Sequence, residues 1–478
     1  MVKNQTKDFP DTIAMFPTFL ISFVTYLCQG IFMLVPLFFI YLNTIQNSYF
    51  IDEKFHVPQA VQYCDGNFYD WDPKITTLPG LYLFSALILE PVNLCRFTWL
   101  RFINVLLTNL NFFLALRYIR LMNDKRNKKV ANEHLRDDIE YLTAWNITFF
   151  PPLFFWFFLY YTEIFSVTLI LTMLLFHINN RNIISTFIGA YSIFVRQTNV
   201  IWVALLSIEK GLTLIEDLTK KPEYTNTFNI IPCIRTLYSI FKAKKGFVSF
   251  FKFSLLSCKT IIPDMFVLLS FVVFIIYNGG IVVGDRTAHK ATIHLTQIFY
   301  YSLFACAFSW PYLVPETKSF LRFLCKHFVI SFCIMCLIAL IVHYNTLVHP
   351  YILADNRHYS FYIWKNFMNK YFFFKYLLVP IYFFAIYAIL KSLSHLRLLS
   401  LTAYILCVII VLVPQLLLEP RYFIIPYILF RLRQKEPKNW QILLETFTTI
   451  IVNMAQFMLF INKSFYWEDE KYPQRIGW

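Results

Sequence analysis

Two stretches of this chain run uncharged for the full thickness of a membrane. Leu20 to Leu42 holds 23 positions, and Leu398 to Leu418 holds 21, without Asp, Glu, Lys or Arg. As helices rising 1.5 Å per residue, each crosses the roughly 30 Å hydrocarbon core. Lipid offers no partner for backbone N–H and C=O groups, so such a segment must satisfy them within itself. Composition agrees, with 58% hydrophobic and 15% charged residues, where a soluble domain is about one quarter charged. The expectation is an all-α polytopic membrane protein, one integral-membrane domain over 1–478 with about 13 (11–15) spans.

The net charge of +15 raises nucleic acid as a partner. The basic residues, however, concentrate between apolar runs: seven Lys/Arg in 117–138 and nine in 209–259. That is the pattern of cytosolic loops under the positive-inside rule, not of a nucleic-acid surface. Lys3 and Lys7 start the first helix in the cytosol, and Met1 to Pro17 lacks the pattern of a cleaved signal. The first helix then delivers 43–98 to the lumenal side, with 78–93 as an interfacial helix and 99–118 as the second span. Further spans are expected at 141–158, 164–178, 262–280, 295–313, 327–347, 372–390, 398–418, 422–432 and 440–461. A helical hairpin over 183–208 keeps Arg196 at its lumenal tip, since a central Arg costs at least about 2.5 kcal/mol. The tail with Glu468 to Glu470 also falls on the lumenal side.

Polar, non-repetitive segments then share one face: 47–80, 160–163, the Arg196 tip, 284–294, 349–359 and 419–422. This asymmetry points to one composite site at a membrane surface. The first of these loops carries Asp52, Glu53, Asp65, Asp70 and Asp72 against Lys54 and Lys74, with His56 nearby. A carboxylate of the Asp52-Glu53 doublet can take a proton from an incoming hydroxyl. The other three carboxylates are suited to hard cations, but their spacing fits no EF-hand or kinase loop; turns and sugar hydroxyls suit them better. Arg196, Arg286, His289, Lys290, Arg357, His358 and Arg421 form a cationic set suited to a lipid phosphate. His56, Trp71, Asp72, Asp355 and Tyr359 are candidates for sugar contact, and Tyr63, Phe68, Tyr69, Tyr351 and Trp364 add rings. No Gly-rich nucleotide loop is present. Cys333 and Cys336 have a redox spacing inside an apolar run and are read as inert; for Cys64 and Cys95 the sequence leaves pairing open.

Several stretches together resemble one family. They are Asp52-Glu-Lys-Phe-His-Val-Pro-Gln-Ala60, Trp71-Asp-Pro-Lys-Ile-Thr-Thr-Leu-Pro-Gly-Leu-Tyr82, Arg196-Gln-Thr-Asn-Val-Ile-Trp202, Gly284-Asp-Arg-Thr-Ala-His289, His349 to Tyr359 and Glu419-Pro-Arg-Tyr-Phe423. The chain is similar over 47–423 to the endoplasmic-reticulum dolichyl-phosphate-glucose-dependent α-1,2-glucosyltransferases, departing at Leu78, where the family usually has Pro. The resemblance implies a GT-C-type glycosyltransferase and a polyprenyl phosphate sugar donor. It implies Asp52 as general base, with Glu53 as runner-up, and inversion in one displacement. It implies no metal and no cofactor. The substrates implied are dolichyl phosphate glucose and the lipid-linked oligosaccharide, in the endoplasmic-reticulum membrane; protein partners are left unnamed. Another dolichyl-phosphate-sugar transferase, or a transporter or scramblase, is the competing reading. No internal repeat favours the latter.

Overall fold

The computed structural model describes residues 11–125, 133–219, 255–286, 291–468 and 470–478. Among the described residues the one sheet is an antiparallel pair, Ser464–Phe465 with Gln474–Arg475; the rest of the regular structure is helical. Among the described residues, six helices have the length and apolarity to cross a bilayer: Thr18–Ile45, Phe97–Lys125, Gln197–Ile215, Phe328–Asn345, Phe374–Ser392 and Asn439–Asn462. Pro151–Phe158 and Thr162–Ile178, bent by 118°, make a seventh if counted as one span. Gly80–Val92, Asn182–Val195, Ile262–Asn278 and Leu398–Leu412 are shorter apolar helices. The all-α polytopic architecture is therefore present, while a count of thirteen does not follow from these lengths.

Breaks account for part of the difference. The run 398–418 is helical only to Leu412. Pro414 lies just beyond; it has no N–H to donate to the carbonyl one turn back, and the helix ends. The carbonyls of Val413 and Pro414 accept instead from the backbone N–H groups of His294 and Thr292, at 2.9 and 3.1 Å.

The expected span 141–158 is corrected in the same way. Helix α5 runs Glu133–Thr148 and stops before Pro151-Pro152. The short α6 (Pro151–Phe154) continues as a 3₁₀ turn to Phe158 before the chain bends into α7 (Thr162–Ile178). Carbonyls released by that bend are met by Asn104, whose Nδ2 donates to Leu159 O at 2.6 Å and Tyr161 O at 3.1 Å. Broken helices survive at membrane depth when neighbours restore the lost hydrogen bonds.

Some cations assigned to loops belong to helices. Arg117 and Arg120 lie on α4 (Phe97–Lys125). Lys210 lies on α9 (Val200–Thr219), buried, with Nζ 2.7 Å from Asp264. Arg431, expected beside a span end, is likewise buried on Glu445 at 2.7 Å. A buried charge persists when its partner is buried with it.

The break at Arg196 is as expected: α8 (Asn182–Val195) stops there, a 3₁₀ turn follows, and α9 begins at Val200. Helix α7 packs on α4 and α8. These helices carry the loop between α1 (Asp11–Ile45) and α4, which holds α2 (Glu53–Cys64) and α3 (Gly80–Leu89). A Cys64–Cys95 disulfide closes that loop. Segment 279–286 is clamped on it. Asp285 N donates to Pro73 O at 2.6 Å, and a Cβ on Gly284 (φ +68°) would strike the same carbonyl.

Candidate active site

Asp52 stands at the head of α2, immediately after an unusual turn. Ile51 has φ +46°, a left-handed conformation that a β-branched residue adopts only when its surroundings enforce it. Tyr161 supplies much of that enforcement. Its hydroxyl donates to Phe50 O at 2.8 Å and accepts from Asp52 N at 2.9 Å. Asp52 and His56 then lie one helical turn apart on one face.

The Asp52 carboxylate meets Arg421 Nη1 at 3.1 Å and keeps 34% of its side-chain surface open. Arg421 is fixed by Glu419, which accepts from both Nε and Nη2. Burial alone would push the Asp52 carboxyl up; Arg421, then His56 and His358, outweigh it and hold it below its ordinary value. Asp52 is therefore ionised at neutral pH. His56 is shifted down, because burial outweighs the attraction of Asp52 and Glu163. Its Nδ1 lies 2.5 Å from the Tyr82 hydroxyl. Burial opposes the charge on Arg421, but Glu419 and Asp52 hold its pKa well above the usual value.

Glu53 has a different environment. Its carboxylate is fully buried, with Arg101 Nε on Oε1 at 2.9 Å and Nη2 on Oε2 at 2.5 Å. It also accepts from Phe50 N at 2.9 Å and Tyr160 N at 2.7 Å. Arg101 spends its remaining donors on Asn43, Gln46 O and Ser48 O. The geometry gives Glu53 a structural place under the loop, with its oxygens spoken for.

The cationic set divides. Arg421 touches Asp52, and His358 lies within its electrostatic reach. Arg196 pairs with Glu163 at 2.7 Å. Arg357 forks onto Asp355 through Nε and Nη2 at 2.9 and 2.7 Å. Burial would raise the Asp355 carboxyl, but Arg357 and His358 bring it below its ordinary value. Arg286 is not joined to them by these contacts: exposed, it closes its own turn on Asn278, Gly279 and Val282. His289 and Lys290 lie outside the described residues.

Of the sugar-contact candidates, Trp71 and Asp72 line an open depression with Phe55, Gln59, Gln62 and Asp70 on the side of α2. Buried Gln59 shapes it, donating to Asp70 O at 2.6 Å and accepting from Asp72 N at 2.9 Å. Tyr359 instead packs its ring on Trp478, 5.0 Å between centroids. Among the described residues no group of three or more His, Cys, Asp or Glu is placed to hold a metal ion.

The sequence places 160–163, 419–422 and the tail on the face of the site but gives no role to Glu163, Glu419, Tyr161 or residues 464–468 and 470–478. Glu163 and Glu419 were visible as the acidic residues of two short polar connections. Arg101 also gave a signal, a lone Arg in an apolar run that requires a buried acid.

The fold is that of an all-α polytopic membrane protein, and its relatives make it a glycosyltransferase. A family model, the DIE2/ALG10 family, matches residues 46–432. The chain belongs to that family. It is 36% identical over 449 residues to a human Dol-P-Glc:Glc(2)Man(9)GlcNAc(2)-PP-Dol alpha-1,2-glucosyltransferase, covering 90% of this chain and 93% of that one. Proteins of the same name from Rattus norvegicus (37% identical; 90% and 93% covered) and Drosophila melanogaster (34%; 90% and 94%) are similar to it throughout. No solved structure matches.

Proposed function

We propose that this protein transfers glucose from dolichyl phosphate glucose to the terminal glucose of Glc2Man9GlcNAc2-PP-dolichol, in an α-1,2 linkage and with inversion. The observation that carries the reading is the Asp52 carboxylate, partly open and braced on Arg421 at 3.1 Å. Asp52 takes the proton of the acceptor's 2-hydroxyl as that oxygen bonds to the anomeric carbon of the donor. The carbon–oxygen bond to phosphate breaks, and dolichyl phosphate leaves with the electron pair. Arg421, Arg196, Arg357 and His358 stabilise its charge electrostatically. The reading needs no cofactor and no metal.

The chemistry is assigned to the lumenal side of the endoplasmic-reticulum membrane, with the N-terminus cytosolic, 43–98 lumenal, and 117–138 and 209–259 cytosolic from their charge, though 1–10, 126–132 and 220–254 lie outside the described residues. The Cys64–Cys95 disulfide supports this side, since such bonds persist in oxidising compartments. The test is incubation of the membrane-embedded protein with the two lipid substrates. One α-1,2-linked hexose should be added from dolichyl phosphate glucose and none from dolichyl phosphate mannose. Transfer from the mannose donor alone would replace this reading with the mannosyl one.

A further inference from the structure

We infer that the C-terminal segment, residues 464–468 with 470–478, is a positioning element of the site, holding Arg357 and His358 for the donor phosphate. The inference rests on the donor role given above to those two residues. Asn356, Arg357, His358 and Tyr359 each take a contact from this segment, which follows the residues matched by the family model. Trp467 Nε1 donates to Asn356 Oδ1 at 3.0 Å. Gln474 Oε1 accepts from Arg357 Nη1 at 3.1 Å, and the Arg357 guanidinium lies 4.4 Å from the Trp467 ring centre. His358 Nδ1 is 3.0 Å from the main-chain oxygen of Trp478. Gly477 completes the clasp, donating to Arg357 O at 2.7 Å and accepting from Tyr359 N at 3.1 Å. A Cβ at Gly477 would run into the Phe155 ring, so the backbone fits there only bare.

The segment is itself tied to the first loop and its helix. Arg475 donates to Gln46 Oε1 at 3.1 Å and to the carbonyls of Phe460 and Ile461 at 2.8 and 2.6 Å. It thereby sets the distance between the 355–359 loop and the turn that carries Asp52. The effect on Arg357 is specific. Asp355 occupies an N–H on Nε and on Nη2, and Gln474 one on Nη1. One N–H remains on each Nη, on a fork whose rotation is already fixed. A phosphate met by such a fork costs less ordering than one met by a free arginine.

The experiment compares Gln474→Leu, Gln474→Glu and Arg357→Gln in the full chain, with KM for dolichyl phosphate glucose and for the acceptor measured separately. Gln474→Leu should raise the donor KM about tenfold, the effect of one hydrogen bond to a charged group. Acceptor KM and kcat should stay near wild type. Gln474→Glu keeps the acceptor oxygen but loses the N–H given to Tyr472 O and sets a second carboxylate beside Arg357, so it too should raise the donor KM. An unchanged donor KM in folded Gln474→Leu protein, or a loss falling on kcat instead, overturns the inference. Should the leucine variant not fold, Trp467→Phe, which removes the N–H bound to Asn356, reads the same parameter with the same two outcomes. Arg357→Gln separates the two levels. If it leaves donor KM unchanged, the donor role of the loop falls; if it raises donor KM while Gln474→Leu does not, only the role of the segment falls.

Discussion

Asp52 and Glu53 are adjacent in the chain and opposite in environment. The Asp52 carboxylate meets Arg421 at 3.1 Å with a third of its surface open, and the Glu53 carboxylate is sealed on Arg101. One is placed to exchange a proton with a substrate, and the other to hold the loop that presents it.

Asp52→Asn should therefore abolish glucose transfer while the protein remains folded. Asparagine keeps the shape but cannot accept the proton, a loss of about 10²–10⁴-fold for a general base. Glu419 continues to hold Arg421, so the surroundings need not collapse. Transfer rate and thermal unfolding in detergent, measured together, check it; wild-type turnover would remove Asp52 from the chemistry.

Glu53→Gln should do the reverse. Removing one partner of a buried ion pair leaves the other uncompensated, at about 3–5 kcal/mol. The expected result is a lower unfolding temperature and lower yield, with the surviving folded fraction close to wild type in kcat. A stable variant without turnover would instead give Glu53 a direct part in the reaction.

How far these two roles could be read in advance is instructive. The acidic loop, the break at Arg196 and the Glu419-to-Phe423 turn were legible, because polar residues between apolar runs announce themselves. The division of labour within the doublet was not. It depends on Arg101, 48 positions beyond Glu53, and on a turn at Ile51 whose left-handed φ no local preference of isoleucine suggests. The break at Phe149 to Pro151 was hidden for a similar reason. The stretch 141–158 reads as one apolar span, and the freed carbonyls of Phe149 and Pro151 are met by Asn453 and Gln456, far along the chain, at 2.7 and 2.9 Å.

The pH dependence should follow Arg421. In the proposed mechanism the ionised form of Asp52 is the active one, so activity should fall as pH drops through its pKa, which lies below the ordinary value. In Arg421→Gln the burial effect faces less opposition and the pKa rises. The acidic limb of the kcat/KM profile should then move to higher pH. An unmoved limb with a raised donor KM would confine Arg421 to phosphate binding.

Arg286→Gln should leave donor KM near wild type. Its guanidinium closes a turn over 278–282 and is exposed. A donor KM raised about tenfold, as expected for loss of a charged hydrogen bond, would return Arg286 to the phosphate site.

Replacing both Cys64 and Cys95 by Ser should destabilise the protein without changing its specificity. The cysteines are 31 positions apart, and closing a loop of that length contributes about 3–4 kcal/mol through the unfolded chain. Thermal unfolding with and without reductant checks it. Equal unfolding temperatures for the two proteins would show that the bond adds nothing.

The hydrogen bond from Arg475 to Gln46 joins residues 429 positions apart. At about 5–20 residues per second, a ribosome needs roughly 20–90 s to travel between them. Through that interval the loop that carries Asp52 waits with its final brace still unmade. A nascent chain stalled before Arg475 is synthesised would hold Asp52 and lack the segment that ties its loop to Arg357.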